Sequence, residues 1–220
     1  MKLMIYTRSM NDEYYQMMTS LLPKDIPLHR VTGMNHWKEA KDYLHYVINH
    51  AINNGIEYAI NIDEDCFITD WQQVEAIIAT MEYTYSHAGM PDGGCHPGRT
   101  RDYKVQNPFF NVFNIKLIKF VMSKTKLGFD SKLKKPNFDL MPYGHGGSMK
   151  EPFDAFFIRL YKKGNPLHLY ADLHRDGITT ILKWNDNPFA LHTWYSRDAS
   201  HRDRIIERFE EAKKLKHENQ

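Results

Sequence analysis

The chain has 220 residues and a mass of 26.0 kDa, enough for one domain with a sizeable core. Apolar residues make up 42% and aromatic residues 13%, which excludes disorder by composition, and a formal net charge of +2 gives no grounds for a nucleic-acid partner. No apolar run approaches the roughly 18 residues of a membrane span. The opening MKLMIYTRS is too short in its apolar part for a signal peptide. Two unrelated cysteines, Cys66 and Cys95, fit a reducing cytoplasm.

Residues 3–7 read as a short buried strand, and residues 11–22 as a helix closed by Pro23. Residues 26–31 form a candidate second strand. Residues 35–54 carry Trp37, Ala40, Leu44, Val47, Ile48, Ala51 and Ile52 at helical spacing. Asn35 is the candidate N-cap, and Gly55 the candidate left-handed residue beyond the end. Residues 58–62, YAINI, are a continuous apolar run that suits a central parallel strand covered on both faces. The run leads into three consecutive acids, Asp63, Glu64 and Asp65, then into Phe67 and Ile68. Asp70 starts a further helix with Gln73 at the capping-box position and Val74, Ile77, Ile78, Met81 and Tyr85 as its buried stripe. This alternation predicts an α/β fold, a single Rossmann-like domain with a mostly parallel central sheet flanked by helices.

After Gly89 the pattern changes. Residues 90–101, with their PDGG core, read as a loop in which Arg99 and Arg101 are candidate ligand contacts. Residues 109–115 read as a strand and 116–123 as a short helix. The amides of Asn107, Asn111 and Asn114 alternate with aromatics and need buried partners. Seven lysines between Lys116 and Lys135 suit a solvated face. Residues 125–150 are irregular, and a loop of that length is usually functional. Residues 152–163 read as a helix with Pro152 at its first position and Gly164 beyond its end. Residues 167–173 and 178–184 suggest strands, paired as a hairpin around Arg175-Asp176-Gly177. Residues 189–194 form the last strand and residues 200–216 a charged C-terminal helix. Its basic end leaves room for peripheral contact with an anionic membrane surface. One domain is expected, with 1–90 as a nucleotide-binding half, 91–197 as the half that completes the site, and 198–220 as a tail helix.

Carboxylates at the carboxyl end of a central strand lie where open α/β sheets bind ligands. Three adjacent acids repel one another unless a cation shares them, and oxygen ligands suit Mg2+ or Mn2+. A solvated acidic turn would have the same composition. Glu151 and Asp154 flank a helix start, where the dipole favours carboxylates; they serve either as caps or as a general base near a hydroxyl. His192 stands at a strand end before Trp194, Tyr195 and Arg197; imidazole can complete a carboxylate metal site, and arginine pairs with phosphate oxygens. Thr7 and Arg8 are the polar groups at the end of the first strand. No Walker or GxGxxG spacing occurs.

Four stretches, in this order, resemble glycosyltransferases of the GT-A fold. INIDEDCFI resembles the strand-terminal DxD motif, with Asp63 and Asp65 as its acids. FFNVFNIKLIKF resembles the family's asparagine-bearing strand, with Asn111 in the asparagine's place. GGSMKEPFDAFFIRLYKKG resembles its glycine pair, acids and following helix, and ALHTWYSR resembles the late histidine. The resemblance spans residues 58–197. It implies sugar transfer from a nucleotide-diphosphate sugar to a glycan or lipid-linked acceptor, with Mn2+ or Mg2+ as cofactor. Asp65 and His192 would hold the metal, with Asp63 beside them and toward the donor. Thr7, Arg8, Asn111 and Arg197 would contact the nucleotide sugar, and Asp154 or Glu151 would act at the acceptor hydroxyl. In the family the two acids are usually adjacent, whereas here Pro152 and Phe153 stand between them. The implied place is the cytoplasm, at most peripheral at the inner membrane face. Two alternatives remain: a non-catalytic nucleotide- or carbohydrate-binding module, and a haloacid-dehalogenase-type phosphatase. The latter expects Thr or Val two residues after the second acid, where this chain has Phe67.

Overall fold

The computed structural model describes residues 1–34, 36–92, 95, 102–124 and 151–219. The expected Asn35 cap, Arg99 and Arg101, the 125–150 segment and the Gly146-Gly147 pair lie outside these residues.

Ten strands follow in chain order: β1 (Leu3–Arg8), β2 (Leu28–Val31), β3 (Tyr58–Ile62), β4 (Cys66–Ile68), β5 (His87–Asp92), β6 (Asp102–Asn114), β7 (Pro166–His168), β8 (Tyr170–Leu173), β9 (Thr180–Trp184) and β10 (Asn187–His192). Among the described residues six α-helices accompany them: α1 (Asp12–Ser20), α2 (Ala40–Asn53), α3 (Trp71–Met81), α4 (Ile115–Lys124), α5 (Asp154–Lys163) and α6 (Arg202–Glu218). The larger sheet has the order β2-β1-β3-β6-β5-β7. It is parallel except at β6, which runs antiparallel to both β3 and β5. A smaller antiparallel sheet has the order β4-β10-β9-β8. The architecture is the expected Rossmann-like α/β one, with a mostly parallel central sheet and a C-terminal helix.

The unbroken run of β3 is explained by its place. All five residues are buried. Ile60 and Ile62 pack into a core with α1, α3 and α6, whereas Ala59 packs into a second core with α2, α4 and α5. Each fully buried Ile, Leu or Phe contributes about 1.5–3 kcal/mol. The polar Asn61 is tolerated between them because its amide is satisfied: it accepts from Tyr43 Oη and donates to the Pro108 carbonyl.

Several boundaries differ from expectation, each for a local reason. Residues 90–92 extend β5, and β6 begins at Asp102, well before residue 109. Pro91 cannot donate to a ladder, and the β5–β6 register shifts on both sides of it, so irregularities absorb the proline. Residues 167–173 divide between two sheets, β7 joining the large one and β8 the small one, with buried Leu169 at the crossing. Helix α5 starts at Asp154 rather than Pro152, with Phe153 at the cap position. Trp37–Glu39 form a 3-10 turn ahead of α2, and Tyr85 lies beyond the end of α3. Gly55 does adopt the left-handed conformation, at φ 63°.

Candidate functional site

The acidic triplet is the point at which the chain leaves the large sheet for the small one. β3 ends at Ile62 and β4 begins at Cys66. The Asp63 backbone N–H donates to the Phe109 carbonyl at 2.8 Å, which continues the β3–β6 ladder by one rung. Cys66 then pairs with His192 across β4 and β10. Thr193 closes the junction: its backbone N–H and its hydroxyl both donate to the Asp65 carbonyl, at 3.0 and 3.2 Å. The two sequence-distant stretches therefore meet because neighbouring strands of the small sheet carry them.

Each acid has a different environment. Glu64 is buried and accepts three hydrogen bonds from the turn after β1: Ser9 Oγ at 2.8 Å, Met10 N at 2.9 Å and Asn11 N at 3.0 Å. Burial still raises its pKa against those bonds. Asp65 is buried and faces His192, with Oδ1 3.5 Å from Nε2. Burial alone would raise its carboxyl, but His192 and a bond from Ser196 outweigh it, and the pKa lies below the ordinary value. Among the described residues Asp63 has no such hydrogen-bond partner. Burial, with Asp65 and Glu64 beside it, pushes its carboxyl up to about 7, against the opposing pull of Arg8 and Arg197.

His192 is fixed from both sides. Its ring stacks on Phe109, with centroids 3.8 Å apart and planes 12° from parallel, and lies 4.4 Å from Trp194. Its Nδ1 is buried without a hydrogen-bond partner among the described residues. The chain then reverses sharply, with Trp194 at φ 61° and Tyr195 at φ 58°. Two consecutive aromatic residues in the left-handed region cost of order 1–3 kcal/mol each, and such strain collects at functional sites. Three contacts hold the reversal. Trp194 Nε1 donates to Thr180 Oγ1 at 2.9 Å, and Arg204 of α6 donates to the carbonyls of Thr193 and Trp194.

Of the sequence-predicted residues, Asp63, Asp65, His192, Arg8 and Arg197 come together. Arg8 is buried, its guanidinium 5.6 Å over the Tyr43 ring, while Arg197 is exposed. The Thr7 hydroxyl and one Arg8 terminal nitrogen are buried without partners among the described residues, at the end of β1. Asn111 lies lower in the sheet, between Asn61 and Gly89, and donates to Gln106 Oε1 at 3.5 Å; its own Oδ1 has no partner among the described residues. Asn107 and Asn114 are satisfied, by Asp92 and by the end of α3. Glu151 and Asp154 engage each other at the start of α5: the Glu151 N–H donates to Asp154 Oδ2, and the Asp154 N–H to the Glu151 carbonyl, both at 3.2 Å. That is a capping arrangement. Sequence reasoning missed Ser9, Phe109, Ser196 and Arg204. Ser196 and Phe109 stood inside the stretches already singled out, whereas nothing in the composition of the tail helix marks Arg204.

The donor set of Asp65 and His192 fits a divalent cation. At 3.5 Å the two atoms stand farther apart than a good hydrogen bond. Neighbouring donors on one ion, with bonds of about 2.1 Å, lie about 3 Å apart. Among the described residues no three His, Cys, Asp or Glu side chains converge into a cage, so Asp63, Asp65 and His192 do not form one by themselves.

No protein-family model matches the chain, and no curated protein matches it. Among solved structures, the chain is similar to A197 from STIV, with a TM-score of 0.46 and 13% identity over 86% of this chain and 93% of that one. It is also similar to a glycosyltransferase involved in the glycosylation of the major capsid of PBCV-1, with a TM-score of 0.39 and 10% identity over 60% of this chain and 70% of that one. A distant structural neighbour of this chain is thus a glycosyltransferase.

Proposed function

We propose that this chain is a metal-dependent glycosyltransferase that moves a sugar from a nucleotide-diphosphate sugar to a glycan or lipid-linked acceptor. One observation carries the reading. Asp63 and Asp65 end the central strand beside His192, Arg8 and Arg197, and burial with the neighbouring acids pushes the Asp63 carboxyl up to about 7. Asp65 and His192 would hold Mn2+ or Mg2+, which when bound neutralises charge developing on a departing diphosphate. Arg197, exposed beside the carboxylates, can reach the same phosphate oxygens. Arg8 and Thr7 offer buried donors at the end of β1 for the nucleoside portion. Asp63 would face the ribose or donor sugar. Asp154 or Glu151 would accept the acceptor's proton.

The test is calorimetry with UDP-, GDP- and CMP-linked sugars in the presence and absence of Mn2+, together with donor hydrolysis. Metal-dependent binding of one nucleotide class is the expected result. Absence of binding to all of them in the presence of metal would sink the reading.

A second reading has an observation in its favour. The Asp154 carboxylate accepts from the Glu151 N–H and the Glu151 carbonyl accepts from the Asp154 N–H, which is what a structural turn at a helix start would do. A non-catalytic nucleotide- or carbohydrate-binding module would bind as above and show no turnover with any acceptor. Among the described residues no helix is long and apolar enough to cross a membrane, so a lipid-linked acceptor would be reached from the membrane surface.

A further inference from the structure

Helix α6 reaches into the site from behind. Arg204, in its first turn, donates one terminal nitrogen to the Thr193 carbonyl and to Thr179 Oγ1, and the other to the Trp194 carbonyl at 3.1 Å. These carbonyls belong to the residues that immediately follow His192. They bracket the reversal in which Trp194 and Tyr195 take left-handed conformations that their side chains disfavour. Two residues just after the reversal act on the acids: Ser196 bonds to Asp65, and Arg197 pulls on Asp63. Upstream, the same residue Thr193 holds the Asp65 carbonyl through two hydrogen bonds.

We propose that Arg204 is a positioning residue: its planar guanidinium, forked across two successive carbonyls, sets the alignment of Asp65, His192 and Arg197 toward one ligand. This rests on the glycosyltransferase reading for what the ligand is, and on geometry alone for the alignment. The chemistry requires arginine specifically. A fork that bonds two carbonyls at once needs donors fixed in one plane; a lysine ammonium supplies charge but cannot reproduce it. Because a diphosphate is recognised by groups from both strand ends together, a shift of an ångström or so at the reversal separates them.

A neighbouring arginine provides the control. Arg208, one turn along α6, is buried and bonds His174 at 2.7 Å and Glu211 at 2.6 Å, so it anchors the same helix to the β8–β9 hairpin without touching the site strand. Arg204→Gln, Arg204→Lys and Arg208→Gln are compared in the full chain for thermal stability, for Mn2+-dependent binding of UDP and of GDP by calorimetry, and for backbone hydrogen exchange across residues 190–198. Arg204→Gln is expected to weaken binding of the preferred diphosphate at least tenfold and to speed exchange in that segment. Arg204→Lys should recover less than half of the loss. In Arg204→Ala, millimolar guanidinium ion should restore binding in part, which a general loss of stability would not allow. Arg208→Gln should lower the melting temperature yet keep wild-type affinity.

Wild-type affinity in Arg204→Gln overturns the proposal, as does an equal loss of affinity in Arg208→Gln. If the wild-type protein binds neither diphosphate and none of the UDP-, GDP- and CMP-linked sugars, the glycosyltransferase reading falls. The positioning role is then decided by the exchange data, and unchanged exchange in Arg204→Gln refutes it.

Discussion

The Glu64 carboxylate accepts the Ser9 hydroxyl at 2.8 Å across the ends of β1 and β3, together with the two backbone N–H groups that follow Ser9. The middle acid of the triplet thus faces the protein, and it fixes the turn that leads from Arg8 into α1. Asn11, the last of the three donors, is itself the α1 N-cap, accepting from Glu13 N at 2.8 Å and Tyr14 N at 3.2 Å. Replacing Glu64 with glutamine leaves one amide oxygen but removes the charge from the acceptor that serves three donors. Hydrogen bonds to a charged group contribute about 1.5–3 kcal/mol. Glu64→Gln should therefore lower the melting temperature by roughly 4–10 °C for a chain of this size, measured by thermal denaturation at pH 7. A shift below one degree would show that the turn holds without it.

Asp65 and Asp154 should separate binding from turnover. Asp65→Ala removes the carboxylate opposite His192 and is expected to abolish Mn2+-dependent nucleotide binding. Asp154→Ala should leave that binding within a factor of about three while turnover falls by 10²-fold or more, the usual scale for a general base. Calorimetry and product formation on the same preparations decide it. Equal loss in both assays for both variants would mean that the acids are structural.

His87 should make the protein acid-sensitive. It is fully buried, its Nδ1 is bonded to Ser86 Oγ at 2.8 Å, and burial together with His168 lowers its pKa from 6.5 to about 3. The unfolded chain therefore binds one more proton than the folded chain between pH 6.5 and about 3, so stability falls as pH falls through that window. Above pH 6.5 the contribution is complete, and below about pH 3 nothing more is lost. The share of the slope due to His87 should approach about 1.4 kcal/mol per pH unit within the window, partly offset in the wild type by Asp63, whose raised pKa acts in the opposite sense. Urea denaturation at half-unit steps isolates it by difference: relative to the wild type, His87→Asn should lose about one proton of slope, whatever the variant costs at pH 7.

Gly89→Ala is expected to be costly although it adds one methyl group. A Cβ there would collide with the side-chain amides of Asn111 and Gln106. Both are buried, and Gln106 is tied to the Leu167 carbonyl at 3.1 Å, so neither can move aside freely. Overpacking of this kind typically costs about 1–3 kcal/mol, readable as a lowered urea midpoint with unchanged slope.

The large sheet was legible because its central strands have both faces buried and so carry unbroken apolar runs, as YAINI does in β3. Asp63, Asp65 and His192 were legible because they end such runs. The second sheet was not. Its strand β4 has three residues, too few for a period to register, and it is a strand because β10 pairs with it. The division of residues 167–173 between β7 and β8 leaves no mark either, since Leu169 is apolar like its neighbours and only tertiary pairing tells the two halves apart. Pro91 misled in the other direction. It reads as a loop former, yet the register shifts on either side let β5 keep it. Arg204 was invisible for a simpler reason: in a helix with several arginines, partners distinguish one from another, and its partners are backbone carbonyls that any sequence has.

The bonds from Thr193 to the Asp65 carbonyl close a loop of 128 residues. Contacts between segments so far apart form late, because the chain's freedom must be lost before they can reward it. The acidic triplet leaves the ribosome long before its partner strand, and the small sheet cannot assemble until residues 187–193 have emerged. No early folding intermediate can then bring Asp65 and His192 together, however well its large sheet is formed. Any divalent ion that binds Asp65 together with His192 should accordingly slow unfolding more than it speeds folding, since it clamps a contact made after the main barrier.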